Sequence, residues 1–385
     1  MDDDIRLPPS AYVMPVAPPA ATAPDSTETF QKLTLDEGQR RQLSQQGFTN
    51  GLASALADSC TDMPIRIFII DNSGSMNTSD GNMLVPTANP NEVKSMACTR
   101  WKELQSTIDY HIQLAALLKA PTEFRFLNFP SGISNPKQEF SVAMPGRQDE
   151  ESIRADVQEG KRLIKSSPTG VTPLSEHIYS VRNYVESMSA SLQSSGKRVA
   201  LILATDGLPS DNGGVSDHSS LHEFQTALKS LEGLPIWIIV RLCTDDKRVI
   251  DFYSDLDKNL ELSIEVLDGF FDEAKEMHEM NPWLNYALPL HRMRELGFNH
   301  RVFDFLDERC LTGSELREFC VILFGLDGMD GVPEPDIDFK TFITKMKSLL
   351  DKEPNQYHPM KRKMKPWMSL KQLADIYGNG SCTIM

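Results

Sequence analysis

The stretch that decides the fold is Ile65-Arg66-Ile67-Phe68-Ile69-Ile70-Asp71-Asn72-Ser73-Gly74-Ser75. Its first six residues are almost all apolar, β-branched or aromatic, the composition of a strand buried on both faces. The next five change character at once. A carboxylate and two hydroxyls stand at i, i+2 and i+4, separated by Asn and Gly. On the loop that leaves a strand, this spacing can turn three oxygens toward one centre. Hard oxygen donors of this kind suit Mg²⁺, Mn²⁺ or Ca²⁺ rather than zinc or copper.

Reading outward, further strand-like runs occur at Phe124–Leu127, Val199–Thr205, Ile236–Leu242 and Leu262–Leu267. Helical patterns lie between them, at Thr99–Lys119, Glu151–Lys165, Leu174–Leu192, Ser219–Leu231 and Lys247–Leu256. Strands that alternate with helices predict an α/β fold with a doubly wound, mainly parallel sheet, here over residues 62–268. Such sheets bind ligands at the carboxyl ends of their strands. Two more polar groups are expected at that edge. Thr172 sits in Thr169-Gly170-Val171-Thr172-Pro173-Leu174, which opens a helix, and Asp206 ends the run Leu201-Ile202-Leu203-Ala204-Thr205-Asp206-Gly207.

With these three motifs in order, the chain resembles the von Willebrand factor type A domain, which carries a metal-ion-dependent adhesion site. The resemblance covers residues 62–268 and implies a Rossmann-like fold. By motif, it implies that Asp71, Ser73, Ser75, Thr172 and Asp206 hold one divalent cation, expected to be Mg²⁺ with Mn²⁺ or Ca²⁺ as alternatives. It further implies an open coordination position that a Glu or Asp of a partner protein fills. One departure from the family pattern is the stretch Met76–Cys98, rich in Asn, Asp, Gly and Pro, which separates the last Ser from the next helix. It reads either as a loop that shapes partner choice or as a tolerated surface insertion.

The flanks read differently. Residues 1–33 are Pro/Ala/Ser/Thr-rich and are expected to be disordered. Residues 34–61 form a helical lead-in, with Thr34 and Glu37 at capping-box spacing and Leu43, Phe48, Leu52 and Leu56 at helical intervals. Gly47 and Gly51 weaken the reading of one straight helix. Residues 269–351 carry helical patterns alone and read as a small helical module. Residues 352–385 read as a polar, basic tail. Its run Lys361-Arg362-Lys363-Met364-Lys365-Pro366-Trp367 suits an anionic membrane surface, with Trp367 at the interface. The sequence closes on Cys382-Thr383-Ile384-Met385, which fits the C-a-a-X prenylation pattern with Cys382 as the lipid attachment point. One lipid chain gives marginal residence, so the basic residues Lys361, Arg362, Lys363 and Lys365 would supply the second signal.

Composition bounds the function. The 385 residues carry a formal net charge of −15, which argues against a nucleic-acid partner. Six cysteines lack zinc-site or CxxC spacing, and the apolar runs are too short to span a membrane. The expected function is a non-enzymatic, metal-dependent protein-binding adaptor, cytoplasmic and peripheral to a membrane. The alternatives are a docking subunit of a soluble ATP-driven or ubiquitin-linked complex and, more weakly, a metal-dependent hydrolase.

Overall fold

The structure, a computed structural model, describes residues 32–86 and 93–378. The expected disordered segment therefore lies outside the described residues, apart from its last two positions. The chain opens with helices α1 (Glu37–Gln45) and α2 (Asn50–Asp62), then strand β1 (Ile65–Ile70). A hairpin of β2 (Gly81–Pro86) and β3 (Val93–Cys98) leads into α3 (Arg100–Leu118). Next come β4 (Thr122–Phe126), β5 (Glu139–Val142), α4 (Glu150–Leu163) and α5 (Leu174–Ser194). The sheet is completed by β6 (Val199–Thr205), α6 (His218–Lys229), β7 (Ile236–Leu242), α7 (Lys247–Asn259) and β8 (Ile264–Leu267). Helices α8 (Phe270–Met280), α9 (Leu288–Glu295), α10 (Arg301–Glu308), α11 (Gly313–Phe324) and α12 (Phe339–Leu350) follow. A second hairpin, β9 (Gln356–His358) with β10 (Lys363–Lys365), precedes α13 (Leu370–Tyr377).

Six strands make one sheet in the order β5-β4-β1-β6-β7-β8. All neighbours are parallel except β5, which runs antiparallel to β4 at one edge. The expected α/β fold with a doubly wound, mainly parallel sheet is what the structure has. Because β1 is flanked by β4 on one side and β6 on the other, the chain reverses direction across the sheet beside β1. The carboxyl end of β1 is thus the crevice where such sheets take ligands.

Alternation along β1 sends Ile65, Ile67 and Ile69 to one face and Arg66, Phe68 and Ile70 to the other. The first face packs under α5, α6 and α7 through Val181, Val185, Phe224 and Tyr253. The second is covered by α3 and α4 and, toward β6 and β7, by the helices outside the sheet segment. There Gly297 comes so close that a Cβ on it would lie 3.1 Å from Ile239 and 3.3 Å from Ala200. The helical region 269–351 therefore shares one core with the sheet. Polar ties reinforce the joint. Buried Arg66 donates to the carbonyls of Leu296 (3.2 Å) and Met63 (2.9 Å). Arg294 holds Glu265 of β8 (2.9 Å), Glu273 of α8 and Asp307 of α10 (3.0 Å).

One local reading is sharpened and three change. The lead-in is two helices, broken at Gly47, whose φ of 94° is the left-handed region a glycine tolerates. The capping box is Asp36 with Gln39, not Thr34 with Glu37. The stretch after Ser75 contains a two-stranded hairpin, and its amide at Asn82 donates to Glu103 of α3 (2.8 Å). The segment after Asp351 is folded to Gly378, and Trp367 is fully buried rather than placed at a surface.

Helix α2 meets α11 backbone to backbone. A Cβ on Gly51 would sit 2.1 Å from the Ile322 carbonyl oxygen and 2.2 Å from the Gly325 nitrogen. Neither atom can yield as a side chain would, so Gly51→Ala is expected to cost about 3 kcal/mol or more. Chemical denaturation checks this, and a change below about 1 kcal/mol would refute the close approach.

Candidate functional site

Four loops meet at the carboxyl edge of β1, β4 and β6, and hydrogen bonds lace them together. Asp71 directly follows β1, and its amide continues the ladder by donating to the Ala204 carbonyl of β6 (2.9 Å). Asn72 bridges to the loop after β4: its Nδ2 donates to the Asn128 carbonyl (2.9 Å) and its Oδ1 accepts from the Asn128 amide (2.8 Å). Asn128 in turn clasps Val171, donating to its carbonyl (2.8 Å) and accepting from its amide (3.2 Å). Gly170 makes room for that clasp. Its φ is 95°, and a Cβ there would lie 2.3 Å from Asn128 Oδ1. Thr172 is fixed to the loop after β6 by reciprocal bonds with Ser210, amide to Oγ and Ser210 amide to carbonyl, both 3.0 Å.

This lacing brings the expected side chains together. Ser73 Oγ and Ser75 Oγ are 3.0 Å apart, and Ser75 Oγ donates to Asp206 Oδ1 (2.7 Å). Asp71 Oδ1 accepts from the Ser73 amide (2.8 Å), and Asp71 Oδ2 accepts from Thr205 Oγ1 (2.7 Å). Thr172 Oγ1 lies 3.9 Å from where a Cβ on Gly207 would stand, which puts it beside the Asp206 loop. Asp71, Ser73, Thr172 and Asp206 are all buried.

Burying two carboxylates side by side is costly. Desolvation, and then repulsion from Asp206, pushes the Asp71 carboxyl up to about 6, although hydrogen bonds from Ser73 and Thr205 pull the other way. The nearest compensation comes from a residue that sequence reasoning did not single out. Arg100 Nη1 donates to Asp206 Oδ2 (3.0 Å), while Nε and Nη2 grip Asp80 Oδ1 (2.7 Å) and Oδ2 (2.5 Å). Asp80, Arg100, Thr205 and Asn128 were therefore missed as site residues. Thr205 could have been suspected from its place beside Asp206. Nothing in the linear sequence joins Asp80 and Arg100 to the site, because the hairpin places them there.

Two carboxylates and three hydroxyls form a hard-oxygen donor set that fits Mg²⁺ or Mn²⁺. Among the described residues, no group of three or more His, Cys, Asp or Glu side chains is gathered as for a metal. The donor set here relies on Ser and Thr instead. The other expected sites fall elsewhere. Lys361, Arg362, Lys363 and Lys365 lie on or between the strands of the β9–β10 hairpin, with the first three exposed and Lys365 half-buried. Cys382 lies outside the described residues. No described helix is long and apolar enough to cross a membrane.

No family model matches the chain, and no curated protein matches it. Among solved structures, a pilus adhesin, SpaC from Lactobacillus rhamnosus GG, aligns over 53% of this chain and 28% of its own, with a TM-score of 0.32 and 12% identity. The open conformation of that adhesin aligns over 54% and 28%, with a TM-score of 0.31 and 14% identity. This chain thus spans little more than a quarter of that protein, and likeness at this level says nothing of function.

Arg100 is the cation that ties Asp206 to the hairpin. Arg100→Met removes it and leaves Asp206 buried without its ion pair, an expected loss of about 2–3 kcal/mol without added metal. The measure is denaturant unfolding in chelator. Limited proteolysis should also cut faster within residues 78–98, and unchanged stability with unchanged cleavage would contradict the assignment.

Proposed function

We propose that this edge is a divalent-cation site of the von Willebrand factor type A kind, and that the protein uses it to bind an acidic side chain of a partner protein. The observation that carries the reading is the continuous chain Ser73–Ser75–Asp206, with Asp71 beside it, buried at the point where the sheet reverses direction. A divalent cation, when bound, supplies a Lewis-acidic position that a third carboxylate completes. The protein's own residues orient that position. Ser73, Ser75 and Thr172 offer neutral oxygens, while Asp71 and Asp206 supply the charge.

Binding fits this geometry better than catalysis does. Each of the four carboxylate oxygens of Asp71 and Asp206 already accepts a hydrogen bond, from the Ser73 amide, Thr205, Ser75 and Arg100. These carboxylates are held as anchors rather than poised to take a proton. The protein in this reading is a non-enzymatic adaptor whose contact with its partner depends on the metal.

Metal removal tests the proposal through stability. In chelator, Asp71→Asn relieves a buried charge and is expected to melt at or above the wild type. Mg²⁺ at about 100 times its dissociation constant should stabilise the wild type by about 2.7 kcal/mol and leave Asp71→Asn unmoved. If neither Mg²⁺ nor Mn²⁺ shifts the wild-type melting curve, or if both proteins shift alike, the cation reading fails.

A further inference from the structure

A second site lies away from the sheet edge, in a cavity of about 560 Å³ between the α8–α9 connection, the end of α12, the β9–β10 hairpin and the start of α13. That volume is within the range of small-molecule pockets. Three lysines from two elements line it, Lys347 of α12 with Lys361 and Lys365 of the hairpin. None of the three forms an ion pair among the described residues. The first residues of α13 also line the cavity, so the positive end of that helix adds to the lysines.

Behind its wall, out of reach of a water molecule, lie polar groups whose hydrogen-bonding capacity is unused. Asn285 is buried, and its Nδ2 lies 3.3 Å from the carbonyls of Gln356, Lys365 and Pro366. Those three acceptors fix the orientation of the amide. Asn285 Oδ1 then has no partner among the described residues, and neither do Gln372 Oε1 and His358 Nδ1. His358 is also buried. Desolvation, with Lys361, His278 and Lys365 close by, pushes its imidazole down to about 4, so it stands neutral in a field of positive charge.

The two sets of groups ask for different things. The lysines call for an anion with several oxygens. The rim carboxylates Asp351 and Glu353 call for hydroxyl donors. We propose that this cavity binds a phosphorylated polyol, with its phosphates on Lys347, Lys361 and Lys365 and its hydroxyls on Asp351 and Glu353. The site is independent of the cation centre. It also gives two members of the basic run, Lys361 and Lys365, a shaped ligand in place of a diffuse surface.

The test titrates the full chain with inositol trisphosphate, read by calorimetry and by tryptophan fluorescence, since Trp283 lines the cavity. Saturable binding is expected. Inorganic phosphate and myo-inositol, each carrying half of the chemistry, should bind roughly tenfold more weakly or worse. Lys361→Glu with Lys365→Glu should weaken inositol trisphosphate by roughly tenfold or more, as should Lys347→Glu on the opposite wall. Lys363→Glu, on the same hairpin but not lining the cavity, should stay within about twofold. All are partly or fully exposed lysines, and circular dichroism confirms folding. No saturable binding, or an equal loss in Lys363→Glu, overturns the proposal. Vesicles of phosphatidylcholine with and without phosphatidylinositol bisphosphate separate the sources. Capture by the doped vesicles alone, displaced by soluble inositol trisphosphate, assigns the ligand to a lipid headgroup. Soluble binding without vesicle capture assigns it to a free polyol phosphate. Vesicle capture that survives both the competitor and the double variant overturns the lipid source.

Discussion

The constraint on which this structure rests is that β1, β6 and β7 are apolar on both faces and must be covered twice. Crossover helices α5, α6 and α7 cover one face. On the other, α3 and α4 cover the β1–β4–β5 side, and α2 and the helices after β8 complete the layer. Ala200 and Ala204 keep that face shallow, which lets the connection at Gly297 come down on the sheet. The C-terminal helices are thus the missing half of a layer. Their ionic joints follow from that burial, because charges brought under a sheet need partners. Glu295 is reached by His111 of α3 (3.1 Å) and by Arg292 (2.7 Å). His291 and these two partners hold its carboxyl well below the ordinary range despite the cost of burial.

The same sheet explains why the polar edge is so ordered. Parallel strands end together, so the loops leaving β1, β4 and β6 emerge side by side with their backbone groups facing one another. Asn72 and Asn128 convert that proximity into paired hydrogen bonds, and Thr205 and Ser75 place a hydroxyl on each carboxylate. Once the loops are pinned, side chains distant in sequence have little freedom left to lose, which is the condition for holding a small ligand with short side chains.

Much of this was legible in the chain. The runs at Ile65–Ile70, Val199–Thr205 and Ile236–Leu242 match strands residue for residue, because continuous β-branched composition leaves little else they can be. Asp71 and Asp206 lie at the sheet edge because each closes such a run. Other elements were hidden for physical reasons. The β5 strand is a short antiparallel edge, whose polar and apolar residues carry no buried run. The β2–β3 hairpin packs on α3 and not in the sheet, so its sequence has the composition of a loop. Trp367 stands beside four basic residues, and charge patterning alone drew it to the surface. Asn285, which belongs to no motif, donates to the carbonyls of the Trp367 neighbours Lys365 and Pro366. Arg66 sits inside the deciding strand as an anomaly, resolved only when the carbonyls of Met63 and Leu296 come within reach.

The bridge Asp80–Arg100–Asp206 has a consequence for how the molecule can respond. One guanidinium serves two carboxylates, one inside the polar edge and one at the root of a hairpin. Any free energy that links the hairpin to the polar edge through this guanidinium is felt equally in both directions. The hairpin root and the polar edge thus share one cation, and neither ion pair stands alone.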